Sequence, residues 1–201
     1  MTRANFLVVG VGGQGTLLAA DLIALAGMAA GLDVKKSEVH GMAQRGGSVI
    51  SQVRWAEEVY SPLISQGEVD YLLAFERLEA VRYAHWLRPG GVALVNDYRI
   101  PPLAVSAGSM PYPSEAVQEA AFASARRILV PAMALAQQVG SVRVNNVVMI
   151  GALAALLPVE ASVWEEVIAH RVPERTVAVN VEAFRKGWAY IRKEGAPWNN
   201  G

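Results

Sequence analysis

A short apolar run broken by a glycine-rich turn most constrains what this chain can fold into. Phe6-Leu7-Val8-Val9 leads directly into Gly10-Val11-Gly12-Gly13-Gln14-Gly15, and a Leu- and Ala-rich stretch follows over residues 16–30. A run of that length with glycine at its end reads as a fully buried strand. The stretch after it reads as a helix closed by Gly31. The glycines therefore lie where a strand turns into a helix, and backbone N–H groups at such a turn are free to hold an anion. Gly10, Gly12 and Gly15 fit the dinucleotide spacing: one glycine for the tight turn, one for close approach of a pyrophosphate, one for helix packing. Gly13 and Gln14 complete this candidate binding loop.

The pattern continues as alternating strands and helices. Residues 34–39 read as a second strand, and residues 48–55 as a third that turns at Ala56-Glu57-Glu58 and resumes at Val59-Tyr60 as a β-hairpin. Residues 71–75, 92–95 and 128–130 read as further buried strands, with helices over 77–86 and 114–125. Ser114 is the expected N-cap of the latter. Four prolines between Ile100 and Pro113 mark a loop or small excursion. Residues 132–139, 147–157, 162–169 and 176–193 read as helices, the third opened by the capping-box pattern Ser162-Val163-Trp164-Glu165. Val177, Val181, Phe184, Trp188 and Ile191 make an apolar stripe along the last. The expected fold class is α/β: a Rossmann-like, mostly parallel sheet with helices on both faces and a helical C-terminal region over about residues 132–195. Glu76, Asn96 and Asp97 follow strands and so collect at the carboxyl edge, where open α/β sheets bind ligands.

Composition removes several classes. The chain has no cysteine, which excludes disulfides, thiolate zinc sites, Fe–S ligation by cysteine and a Cys nucleophile. No spacing of His with carboxylates marks a metal site. Lys+Arg and Asp+Glu are equal at 18 each, so nothing points to nucleic acid or an anionic membrane surface. The N-terminus runs straight into a strand without a signal peptide, and the apolar stretch over residues 147–157 is too short to span a bilayer. The expected location is cytoplasmic. The 53% hydrophobic content without a membrane span reads either as a large partner interface or as an Ala-rich core.

A second glycine-rich segment, His40-Gly41-Met42-Ala43-Gln44-Arg45-Gly46-Gly47-Ser48, puts chemistry on a backbone that bends sharply. Arg45 between Gln44 and a glycine pair suits an anion anchor, because a guanidinium holds carboxylate or phosphate bidentately. His40 is a candidate acid or base. Ser48 has no adjacent base and orienter, so it makes a poor nucleophile. His85 and His170 read as packing or surface residues. Asn145-Asn146, at the head of an apolar helix, reads as an N-cap and turn residue, or as a partner contact. Glu38 is nearly placed to hold a nucleotide ribose, but Lys35-Lys36-Ser37 is an unusually polar approach to it.

Read together, Gly10 to Gly15 and Ser37-Glu38-Val39-His40-Gly41-Met42-Ala43-Gln44-Arg45-Gly46-Gly47-Ser48-Val49 resemble the gamma-type domain of 2-oxoacid:ferredoxin oxidoreductases. Tyr60-Ser61-Pro62-Leu63-Ile64, Leu73-Ala74-Phe75-Glu76, the run from Asn145-Asn146-Val147 to Gly151, and Asn180, Ala183-Phe184 and Gly187 extend the resemblance along almost the whole chain. Within the family the pattern is most similar to the beta subunits of indolepyruvate-oxidising members. The resemblance implies one gamma-type domain over residues 1–201 that is a subunit of an oxidoreductase and inactive alone. It implies a hetero-oligomer with an alpha subunit that carries thiamine diphosphate, Mg2+, 4Fe-4S clusters and the CoA chemistry, with ferredoxin as acceptor; alone, the chain could form a homodimer. No cofactor is assigned to this chain itself. The resemblance also turns His40, Gln44 and Arg45 toward a shared active site, with the Gly10–Gly15 loop beside them. Alternatives are a gamma subunit acting on pyruvate, 2-oxoglutarate or 2-oxoisovalerate, a stand-alone NAD(P)-binding dehydrogenase, and a nucleotide-sensing module.

Overall fold

The computed structural model describes residues 3–40 and 47–193. Six strands form one sheet in the order β2-β3-β1-β4-β5-β6. The strands are β1 (Ala4–Val11), β2 (Asp33–His40), β3 (Ser48–Ala56), β4 (Val69–Ala74), β5 (Leu87–Asn96) and β6 (Arg126–Val130). β1, β4, β5 and β6 run parallel, whereas β3 lies antiparallel to both β1 and β2. The sheet is thus parallel on one side of β1 and antiparallel on the other.

Two expectations change here. The hairpin formed by β3 is with β2, in register from Asp33 opposite Ala56 to His40 opposite Val49, and not with Val59-Tyr60. Val59 instead donates its N–H to Asp33 Oδ2 at 2.8 Å, and Tyr60 is 86% exposed. The buried, β-branched face of β3 is consumed by central pairing between two strands, which leaves no edge for Val59 and Tyr60 to join. The second change concerns Glu38. In a dinucleotide fold the second strand lies beside the first, but here β3 intervenes and β2 is at the sheet edge. Glu38 pairs in register with Ser51, accepts a hydrogen bond from Lys36 at 2.6 Å, and is one strand too far out for a ribose beside β1.

Strand residues alternate between two cores, as the two-residue period of a strand requires. Phe6, Val8, Tyr71, Leu73, Val92 and Leu94 face one side, and Leu7, Val9, Leu72, Ala74, Ala93 and Val95 the other. The first side is covered by α1 (Thr16–Ala29), α5 (Ala132–Gln138), α6 (Asn145–Ala154), α7 (Ala161–Arg171) and α8 (Val177–Lys193). The second is covered by α2 (Arg77–Tyr83) and the region around Phe122, which follows α4 (Glu115–Ala120). A single helical turn, α3 (Leu103–Ser106), lies within the proline-rich excursion.

The C-terminal helices share the first core with the sheet. Their closest approach is between α6 and α8. A Cβ built on Gly151 would lie 2.0 Å from the carbonyl oxygen of Phe184, and one on Gly187 would lie 1.9 Å from that of Val148. Each glycine receives the backbone of the opposite helix, so neither tolerates a side chain. Phe184 and Ile191 of the expected stripe are buried, and Val177, Val181 and Trp188 pack against the same core.

Several ends differ from the sequence reading. The helix expected over 77–86 becomes α2 followed by a 3-10 turn over Ala84–Trp86. β5 starts at Leu87, so Arg88-Pro89-Gly90-Gly91 belongs to a strand. Ser114 caps α4 as expected, but that helix ends at Ala120. α7 begins two residues beyond Val159 with Glu160 as N-cap and no side-chain cap bond, so Ser162 sits within the first turn and makes no capping box. Val163 N–H is satisfied instead by Glu160 carbonyl, at 3.1 Å.

Candidate functional site

Three crossing features converge at the carboxyl edge: the β1–α1 loop, the β4–α2 junction and the head of α6. In the β1–α1 loop, Gly13 and Gly15 have φ of 101° and 81°, in the left-handed region that side chains disfavour. Gly15 is the N-cap of α1 and offers no capping side chain. The first-turn N–H groups of a helix have no partner within it, so α1 presents them at the loop. Gly10 is required by packing rather than by turn geometry: a Cβ there would lie 2.8 Å from Thr16 Cγ2 and 3.1 Å from Phe75 Cβ. Gly12 N–H donates to the Gly47 carbonyl at 2.8 Å, so the end of the second glycine-rich segment touches the first loop.

Gln14 spans this loop. Its Oε1 accepts from Val11 N–H at 2.7 Å and its Nε2 donates to Phe75 carbonyl at 2.9 Å. Its amide therefore stitches the loop to the end of β4. The α6 head contributes Asn145 and Asn146. Both lie inside the first turn, with Val144 as N-cap, rather than preceding the helix. Asn145 Nδ2 returns to Val142 carbonyl at 2.8 Å. Asn146 is 6% exposed; its Oδ1 accepts from Val147 N–H at 3.0 Å, and its Nδ2 makes no hydrogen bond among the described residues. A Cβ on Gly15 would fall 2.3 Å from that nitrogen. These elements enclose a cavity of about 570 Å³ lined by residues 12–15 and by Tyr98, Ile100, Met133, Val142, Arg143, Asn145 and Asn146. Its lining combines the glycine loop and one guanidinium, that of Arg143, with the apolar side chains of Ile100, Met133 and Val142, a set suited to an anionic ligand with an apolar part.

The β4–α2 junction supplies buried charge. Glu76 caps α2, accepting from Glu79 N–H at 2.9 Å, and is 1% exposed. Arg77 pairs with Asp97 at 2.6 Å and Glu115 at 2.7 Å. Burial works against its charge, but the hydrogen bonds it donates to Asp97 and Glu115 outweigh this and raise its pKa. Burial and the hydrogen bond to Glu76 likewise push the Tyr112 phenol up. Glu79, also buried, accepts from Ser48 Oγ at 2.5 Å and from Arg82 at 2.8 Å. Ser48 is thus an anchor for the start of β3.

The expected site residues divide into two groups. The loop Gly10–Gly15 and the trio Glu76, Asn96 and Asp97 do meet at the carboxyl edge. His40 ends β2, paired in register with Val49. Gln44 and Arg45 lie outside the described residues. His85 and His170 are exposed, the latter with Nδ1 2.8 Å from Glu166 carbonyl. Among the described residues no group of three or more His, Cys, Asp or Glu could hold a metal, and no helix is long and apolar enough to cross a membrane. Sequence reasoning did not single out Tyr98, Arg143 or the buried Glu79. They carry no local motif; Tyr98 and Arg143 join the cavity lining, and Glu79 meets Ser48, only once the chain has folded.

The fold and this edge define a Rossmann-like α/β domain whose strand order departs from that of dinucleotide-binding enzymes. The chain belongs to the pyruvate ferredoxin/flavodoxin oxidoreductase family, which it matches over residues 5–190. It is 42% identical over 193 residues to an indolepyruvate oxidoreductase subunit of Pyrococcus horikoshii, covering 93% of this chain and 95% of that one. It is 40% identical, with the same coverage, to the indolepyruvate oxidoreductase subunit of Thermococcus kodakarensis. Among solved structures it is similar to the gamma subunit of a keto/oxoacid ferredoxin oxidoreductase from Geobacter sulfurreducens, with a TM-score of 0.71 at 26% identity over 94% of this chain and 99% of that one. It is also similar to a 2-oxoglutarate:ferredoxin oxidoreductase from Magnetococcus marinus solved with 2-oxoglutarate, coenzyme A and succinyl-CoA bound. There the TM-score is 0.74 at 26% identity, over 96% of this chain and 32% of that one.

Proposed function

We propose that this chain is a subunit of an indolepyruvate, or aryl 2-oxoacid, ferredoxin oxidoreductase and completes an active site whose redox chemistry belongs to a partner subunit. The observation that carries the reading is the end-to-end match to relatives named as indolepyruvate oxidoreductase subunits, at about 40% identity over 93% of this chain. Without cysteine, the chain has no thiolates for Fe–S clusters. Its described residues gather no carboxylate or histidine cluster for a metal. In this reading thiamine diphosphate with Mg2+ and the 4Fe-4S clusters belong to an alpha subunit, which decarboxylates the 2-oxoacid and passes electrons to ferredoxin. CoA accepts the acyl group.

This chain's part is to bind and orient. The uncapped start of α1, the amide nitrogen of Asn146, which makes no hydrogen bond among the described residues, and Arg143 suit a phosphate of CoA or the carboxylate of the 2-oxoacid. Gln44 and Arg45, with His40, are proposed to face the same shared site. Leu103 at 85% and Met110 at 61% exposure give the excursion an apolar surface for a partner. The complex works in the cytoplasm.

The test is reconstitution. The purified chain is expected to leave a viologen dye oxidised in the presence of indolepyruvate and CoA, and addition of the alpha subunit to start turnover. Turnover by the single chain would refute the reading. A second reading, a gamma subunit for pyruvate, 2-oxoglutarate or 2-oxoisovalerate, draws on the similarity to the keto/oxoacid oxidoreductase gamma subunit and to the 2-oxoglutarate:ferredoxin oxidoreductase, each at 26% identity. A panel of these acids on the reconstituted complex separates the two by kcat/KM.

A further inference from the structure

Two buried carboxylates lie at the carboxyl edge, and N-capping explains only half of one. Capping uses Glu76 Oε2, which accepts from Glu79 N–H at 2.9 Å. The common N-caps are the shorter Ser, Thr, Asp and Asn. A glutamate reaches further, and its second oxygen is spent elsewhere. Oε1 accepts from the backbone N–H of Ile100 at 3.1 Å and from the Tyr112 hydroxyl at 2.6 Å. A carboxylate that is 1% exposed is costly to bury unless such donors satisfy it, so these bonds are not interchangeable with water.

Both donors belong to the excursion that follows β5, and Ile100 and its neighbour Tyr98 form one wall of the cavity. Arg77 N–H holds that wall as well, donating to Tyr98 carbonyl at 3.1 Å. The opposite wall is the β1–α1 loop, and it is tied to the same place: Phe75 carbonyl accepts Gln14 Nε2 at 2.9 Å. Three consecutive residues, Phe75, Glu76 and Arg77, therefore grip both walls.

We propose that Glu76 is a positioning residue that sets the width of the cavity between the β1–α1 loop and residues 98–100, with Tyr112 as the strap that holds it to the excursion. This rests on the reading of the cavity as part of the shared active site. Glu76 does not line the cavity; it acts through the backbone of Ile100. Tyr112 does not line the cavity, so its removal changes the fit and not the lining.

Tyr112→Phe and Glu76→Gln test this in two measurements. In the full chain, amide exchange at residues 98–100 is expected to speed up about tenfold in both variants, while the β1–α1 loop is unchanged. In the reconstituted complex, Tyr112→Phe is expected to raise KM for CoA or for the 2-oxoacid about five- to tenfold, with kcat within about twofold. A purely stabilising role would lower the melting temperature and leave KM alone. Unchanged exchange at residues 98–100 in both variants would overturn the proposal. So would faster exchange with unchanged KM while Arg143→Ala raises KM, because the cavity would then be used and its width would not matter. If Arg143→Ala and both variants all leave KM unchanged, the reading of the cavity fails and the positioning role falls with it.

Discussion

A Cβ placed on Gly15 would lie 2.3 Å from Nδ2 of Asn146, so the start of α1 and the head of α6 meet with no room for a methyl group. Gly15 also has a φ of 81°. Both effects oppose substitution: left-handed backbone costs a non-glycine residue about 1–2 kcal/mol, and overpacking about 1–3 kcal/mol. Gly15→Ala is expected to lower stability by about 2–4 kcal/mol in urea unfolding. Asn146→Ala in the same chain relieves the crowding but not the backbone strain. The double variant is then expected to recover about 1 kcal/mol relative to additivity. Strict additivity would show that the two helices do not press on each other.

The α6–α8 contact permits no such rescue. The atoms that a Cβ on Gly187 would strike belong to the backbone of Val148 and Ala152. Gly187→Ala is expected to cost about 3–5 kcal/mol, at the severe end of single substitutions. The check is the urea midpoint, with the exposed Glu182→Ala as control. A midpoint shift no larger than the control's would mean that the helices separate freely.

Arg45 is expected to anchor an anionic group of the assembled site. Loss of one charge-assisted, bidentate contact costs roughly 1.5–3 kcal/mol. Arg45→Ala should then lower kcat/KM by about one to two orders of magnitude, and Arg45→Lys should recover only part. Steady-state kinetics of the complex, with assembly checked by gel filtration, decide the matter. Normal kinetics in an assembled Arg45→Ala complex would remove Arg45 from the site.

Glu115 gives the fold an acid-sensitive clasp. It accepts from Arg127 at 2.8 Å and from Arg77 at 2.7 Å, and the Arg127 hydrogen bond leads the effects that hold its carboxyl below the usual range. A carboxylate whose pKa is lowered by folding stabilises the folded state above its unfolded pKa. That contribution disappears as pH falls through the folded value. Wild type is therefore expected to melt above Glu115→Gln at about pH 7, with the gap closing as the pH falls below the usual glutamate range. A gap independent of pH would assign the difference to packing.

Local pattern was enough to identify some features of this chain. The apolar run before Gly10, the helix closed by Gly31 and the stripe on α8 are written in residues near one another, and their periods follow from backbone geometry. The glycine-rich segments, with the residues matching along the chain, were also enough to place it in its family. The insertion of β3 between β1 and β2 had no such local signature. Strand order is set by which faces pair and bury together, and that pairing moved Glu38 away from β1 and denied Val59-Tyr60 a strand partner. The cavity had none either. Gly15 and Asn146 are far apart in sequence, as are Gln14 and Phe75, or Glu76 and Tyr112. A hydrogen bond or close contact between distant residues exists only once the sheet has brought their backbones together, so tertiary structure alone decided which side chains share the site.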